Sequence, residues 1–144
     1  MATLELEGFD ELNEALRRIG TIPEAVTVKA LDAMAQVAAA KIKASGESMG
    51  VRDPESDVHI LDKLKRAKAK QTRDGGYEAI TFEGSRTRNG RKTRNAEIAF
   101  INEYGKRNQP ARPFMGRAMS EHEDEIYAPG EKIVGDWIED EWSK

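Results

Sequence analysis

A chain of 144 residues fits one domain around a single core. It contains no cysteine, which excludes disulfides and cysteine-held zinc or iron–sulfur centres and suits folding in a reducing cytosol. Hydrophobic residues make up 38% and charged residues 34%, so a large solvated or ion-pairing surface is expected. No apolar run approaches the roughly 20 residues of a membrane span. The start, Met1 to Glu7, has neither the basic nor the apolar region of a secretory signal, and the expectation is a soluble protein made inside the cell.

The net charge of −3 conceals two poles. Lys63, Lys65, Arg66, Lys68, Lys70, Arg73, Arg86, Arg88, Arg91, Lys92 and Arg94 face only Asp62, Asp74, Glu78 and Glu83 in the same stretch. After Ser120 the sign reverses: nine carboxylates, from Glu121 to Glu141, stand against Lys132 and Lys144. Such polarity steers a partner, lets the two poles of self-associating copies meet each other, or provides two solvated faces.

In chain order, Leu4 and Leu6 alternate with Glu5 and Glu7 as a strand over Thr3–Gly8, and a short helix carrying Leu12, Ala15, Leu16 and Ile19 comes next, ended by Gly20. Thr21-Ile22-Pro23-Glu24 reads as a capping box with Thr21 as N-cap. The helix beyond it is expected to run to about Ala44, with a stripe of Leu31, Met34, Ala38 and Ile42 flanked by Ala30 and Val37. Ser45 to Asp57 reads as a loop. Leu61, Leu64 and Ala67 suggest a helical turn passing into a strand. Asp74-Gly75-Gly76 marks a hairpin, and Tyr77 to Phe82 a strand whose Tyr77 and Phe82 pack inward. Gly84 to Asn95 reads as a loop or hairpin tip. Ala96 to Tyr104 reads as a second strand, with Ile98, Phe100 and Asn102 on one face. Gln109 to Phe114 is a stiff extended segment leading through Pro113 into a helix with Phe114, Ala118 and Met119. Ala128-Pro129-Gly130 interrupts that helix, and a last one from about Glu131 to Trp142 carries Ile133, Trp137 and Trp142 as core anchors, or as anchors for a protein interface. This order predicts an α+β domain with a mostly antiparallel sheet packed against the long helix and a C-terminal helix. The whole of 1–144 is taken as one domain, with mobile loops near 45–57 and 84–95.

Catalytic chemistry finds little footing. His59 and His122 are far apart and belong to no metal-ligand spacing, and Gly84 to Gly90 lacks the spacing of a phosphate loop. No catalytic residue, metal, cofactor or small-molecule substrate is expected. The basic loop residues Arg86, Arg88, Arg91, Lys92 and Arg94 suit either phosphates contacted without sequence reading or an acidic protein surface. A pI near 5.5 weighs against a dedicated nucleic-acid binder.

Two stretches carry a resemblance. Phe100-Ile101-Asn102-Glu103-Tyr104-Gly105, then Pro110-Ala111-Arg112-Pro113-Phe114 and on to Ala118, resembles the neck or tail-completion proteins of long-tailed bacteriophages, a family defined on a head–tail joining component of a Hong Kong coliphage. Leu6 to Leu12 and the alanine-rich helix ending Lys41-Ile42-Lys43 look more loosely like the family's N-terminal half. The chain departs from the pattern after the long helix, at Ser45 to Gly50, and at Pro129-Gly130, where the family's last helix is often continuous. The resemblance implies a structural, non-enzymatic virion protein of the neck, assembled in the host cytoplasm. It would act as a ring of identical subunits docked between connector and tail proteins, from a phage or a prophage. In this motif Arg112 is expected to hold Glu103 or a neighbouring carboxylate, Phe114 to pin the helix start, and Gly105 to allow a sharp exit from a strand. A small nucleic-acid-binding protein using the basic 63–94 region is the alternative.

Overall fold

A computed structural model describes residues 14–17, 20–51, 59–73 and 75–144, the side chain of Arg88 excepted. The expected Thr3–Gly8 strand and most of the first helix lie outside the described residues; 14–17 are helical (α1).

The long helix α2 spans Glu24–Ser48, and the two C-terminal helices and the 60–77 segment pack against it. Its N-cap is Pro23, with no side-chain cap, so the capping box centred on Thr21 does not form. The Pro23 carbonyl instead accepts from Val26 N and Thr27 N at 3.0 and 3.1 Å. The helix also runs four residues past the expected end. Its stop is a Schellman motif: Gly50, at φ +71, donates to Glu47 O, while Val51 N donates to Gly46 O at 2.8 Å. Val51 is then buried beside the core.

Ala30, Ala35, Ala38, Ile42 and Gly46 are the buried positions of α2. Small residues are needed because partners approach from several sides. A Cβ on Gly46 would lie 2.6 Å from Leu61 Cδ2 and 3.2 Å from Phe114 Cδ2. Leu31 and Thr27 crowd Gly76 in the same way, so the 70–77 hairpin lies close against the helix.

After a short 3-10 turn, Ile60–Lys63, six strands among the described residues form three antiparallel two-stranded ribbons. β1 (Leu64–Arg66) pairs with β4 (Ile80–Phe82), β2 (Lys70–Thr72) with β3 (Gly75–Tyr77), and β5 (Ser85–Arg88) with β6 (Arg91–Arg94). Phe82 packs inward as expected, but Tyr77 is exposed. The class is α+β.

Two larger expectations about secondary structure are also overturned. The segment read as a strand is the helix α3, Asn95–Tyr104. Its β-favouring Ile98, Phe100 and Ile101 suggested alternation, yet the residues it buries are Asn95 and Ala99, with Ile98 and Asn102 half-buried. Those spacings of three and four belong to a helix. The second correction concerns Pro129. Beyond α4 (Phe114–Glu121), α5 runs unbroken over Glu123–Trp142 with Pro129 inside it. An interior proline costs a helix about 3 kcal/mol. Here the helix packs along α2, with Ile126 and Gly130 buried, and Gly130 lies so close to it that a Cβ there would collide with Met34 Sδ. Trp137 is half-buried on this side, whereas Trp142 is exposed and not a core anchor.

The core gathers Ile42, Val51, Ile60, Leu61, Phe82, Ala99, Phe114 and Ala118. Phe114 is fully buried and meets Phe82 edge-on at 6.0 Å between ring centroids.

Candidate assembly surface

The corner between α3 and α4 is built from backbone constraints outward. α3 ends at Gly105, whose φ of +76 only glycine adopts without strain and whose N–H returns to Ile101 O at 2.7 Å. The exit is thus from a helix, not from a strand. A Cβ there would stand 2.8 Å from both Ala111 N and Gln109 O. Lys106 and Gln109 exchange two backbone hydrogen bonds, at 2.9 and 3.0 Å, closing a tight loop. Pro110 and Pro113 stiffen the run into α4, and Arg112 N is tied to Asn102 O.

Phe114 pins the start of α4, as its sequence position suggested. The role expected for Arg112 is corrected. Its guanidinium Nη1 donates to Gly50 O at 2.9 Å and so links the corner to the Schellman turn of α2. Glu103 does something else. Its Oε2 accepts from Met115 N and its Oε1 from Gly116 N, each at 2.8 Å. The N-cap of α4 is Pro113, which has no side chain to offer the first N–H groups. A carboxylate from the previous helix therefore satisfies two of the four orphan donors and suits the positive end of the helix dipole. The sequence did carry a trace of this: a helix beginning Pro-Phe-Met-Gly has no local capping residue, so its cap must come from elsewhere.

The corner leaves two aromatic rings outside. Phe100 and Tyr104, one turn apart on α3, are 62% and 69% exposed and lie against each other at 4.7 Å. Nothing in the packing of the described residues uses them.

The basic segment is a defined hairpin. Asn89 and Gly90 both have positive φ, 52° and 76°, the pattern of the type I′ turn that matches strand twist. Ser85 pairs with Arg94, Arg86 with Thr93, Thr87 with Lys92 and Arg88 with Arg91. Arg86 is not a free cation of the tip. It is half-buried at the base, its Nε donating to Asn95 Oδ1 at 3.0 Å, while Asn95 Nδ2 donates to Glu83 O at 2.8 Å. Asn95, the one polar residue among the buried described residues, therefore anchors the hairpin to the body. Arg91, Lys92 and Arg94 are exposed on β6. No carboxylate occurs between Glu83 and Glu97.

The acidic pole is α5, with eight carboxylates against Lys132. Some are engaged: Glu125 with Lys41 at 2.6 Å and with His122 Nδ1 at 3.1 Å, and Asp136 with Lys132 at 2.8 Å. Lys41 and then His122 hold the Glu125 carboxyl below the usual glutamate range. Glu131, Glu139 and Asp140 are exposed. An open groove of about 280 Å³ runs between α4 and α5, lined by Met119, Tyr127 and their neighbours.

Elsewhere, Glu78 has a side chain only 3% exposed, 3.6 Å from Arg66 Nη1, which also binds Asp32 at 3.0 Å. Burial, and then the Asp32 charge, push the Glu78 carboxyl above the usual range, with Arg66 pulling the other way. Among the described residues no three histidine, cysteine or acidic side chains are placed to share a metal ion, and no helix is long and apolar enough to cross a membrane. His122 sits at the α4–α5 junction paired with Glu125, and His59 precedes the 3-10 turn. In comparisons with known proteins, no family model, no curated protein and no solved structure matched the chain.

Proposed function

We propose that this chain is a structural virion protein of the head–tail joining or tail-completion region of a long-tailed phage or prophage. It works by assembling into a ring of identical subunits and docking on adjacent connector and tail proteins, without turnover or cofactor. The observation that carries this reading is the corner from Phe100 to Ala118. It coincides with the stretch that resembles the neck family, and its polar groups are spent on rigidity: Glu103 on the cap of α4, Arg112 on Gly50. A rigid corner that displays two stacked aromatic rings to solvent suits a protein interface, where tyrosine and phenylalanine are enriched.

The test is light scattering on the purified protein across concentration and salt, with and without double-stranded DNA. The expected result is a closed oligomer of defined mass, indifferent to DNA. A protomer at every concentration would overturn the reading.

A second reading, a small nucleic-acid-binding protein, is favoured by one observation: a two-stranded ribbon with exposed cations and no carboxylate, a shape that fits a DNA major groove. It requires binding whose affinity falls steeply with salt.

A further inference from the structure

α5 has two different sides. Ile126, Gly130, Ile133 and Trp137, at spacings of four, three and four, are buried or half-buried. Tyr127, Glu131, Ile138 and Trp142, at spacings of four, seven and four, return to one face as well, and all four are exposed. A stripe of three large apolar side chains and one glutamate, ending in a tryptophan 52% open to water, is unusual on a helix already holding its place through another face. Glu139 is exposed beside it. The opposite surface of the molecule in chemical terms is β6 with α3, which adjoin without a break at Arg94 and Asn95. It offers Arg91, Lys92 and Arg94 together with the stacked Phe100 and Tyr104.

We propose that these two surfaces bind each other between copies: the β5–β6 hairpin and the Phe100–Tyr104 pair of one protomer dock on the outer stripe of α5 of the next. The inference rests on the assembly reading above and names its interface. Charge selects the occupant. A symmetric contact would set hairpin on hairpin, cation against cation, or α5 on α5, carboxylate against carboxylate, and like charges in an interface repel. The complementary arrangement is head to tail, the type of contact that closes into a ring when its rotation permits. Its two ingredients are present on both sides, aromatic or aliphatic anchors with charge beside them. A helix of 20 residues is roughly 30 Å long, enough for the ~800 Å² per partner of a standard interface.

The experiment uses two full-length variants. In one, Arg91→Glu, Lys92→Glu and Arg94→Glu make the hairpin acidic; in the other, Glu131→Lys and Glu139→Lys reverse the stripe. All five side chains are exposed, and circular dichroism with thermal melting verifies that each variant folds. Mass is measured for wild type, for each variant alone and for their equimolar mixture. The expected outcome is a wild-type oligomer, each variant weakened in self-association by roughly 100-fold, and assembly recovered in the mixture, because each reversed surface then meets a complementary one. Trp142→Ala, which leaves charge untouched, is expected to weaken assembly as well.

Variants that assemble like wild type would overturn this interface while leaving the assembly reading in place. Loss in both variants without recovery on mixing would overturn the pairing of the two surfaces. A hairpin variant of unchanged mass that loses salt-sensitive DNA binding would assign the hairpin to nucleic acid instead. A wild type that never associates would sink the assembly reading itself.

Discussion

The hairpin at 85–94 and the corner at 105–118 are neighbours on either side of α3, and they are built on opposite principles. The corner is tied from every direction: Phe114 in the core, Glu103 on two amides of α4, Arg112 on the end of α2, and Gly105 where a side chain would strike the next loop. The hairpin is joined to the body at its base by Arg86, Asn95 and Glu83, and beyond that by its own ladder. One element fixes a shape; the other presents charge. Local opening is expected to begin in the hairpin, where backbone hydrogen bonds are exposed and apolar contacts few.

That contrast can be broken most decisively at Phe114. Phe114→Ala removes a ring with no exposure and is expected to cost about 3–5 kcal/mol, read as a lower urea midpoint. A cost under about 1 kcal/mol would mean that the corner is not seated in the core. Gly105→Ala comes next. It forces an alanine to φ +76 and against two backbone atoms, and a loss of about 1–3 kcal/mol in thermal unfolding is expected.

Glu103→Ala strips two amides of their acceptor, with an expected cost of about 1–2 kcal/mol. Faster hydrogen exchange confined to the first turn of α4 is its signature. Glu103→Gln retains one acceptor and should lose less.

Smaller still is a pH effect beside the first two ribbons. The folded-state pKa of Glu78 lies above its unfolded value, so over that interval the folded protein binds more protons and stability rises as pH falls. Glu125 has the opposite sign: its folded value is depressed, and its contribution is lost as pH falls through that value. Mild acidification should therefore first raise and then lower the urea midpoint, and Glu78→Gln should remove the rise. At the far end of the scale, Arg91→Glu with Arg94→Glu should leave the unfolding midpoint unmoved at protein concentrations too low for assembly, while changing association at higher ones. A marked destabilisation would show that the hairpin is part of the domain's structural core after all.

Much of the architecture was legible in the order of residues. The long alanine-rich helix, the turn into β1, a hairpin near Gly75 and the stiff entry into α4 all arise from short-range chemistry: glycines that allow positive φ, prolines that fix it, and periodic apolar residues, although Gly75 and Gly76 lie in β3 itself rather than in the turn. Phe114 as a core anchor followed from its place just after Pro113. The basic and acidic poles were visible as counts of charge along the chain.

Tertiary packing decided the rest. The 95–104 segment has enough β-branched and aromatic residues to pass for a strand, and only its burial of Asn95 and Ala99 makes it a helix. α5 passes through Pro129 because contact with α2 outweighs a missing hydrogen bond, a balance that no local propensity contains. Glu103 and Arg112, close in sequence and opposite in charge, invited pairing with each other. Each instead met a backbone group left unsatisfied at the end of a different helix, Glu103 at the start of α4 and Arg112 at the close of α2. Sequence periodicity states which residues prefer to be buried; which orphaned donor or acceptor a charged side chain will find depends on where helix ends come to rest, and that is set only once the whole chain has packed.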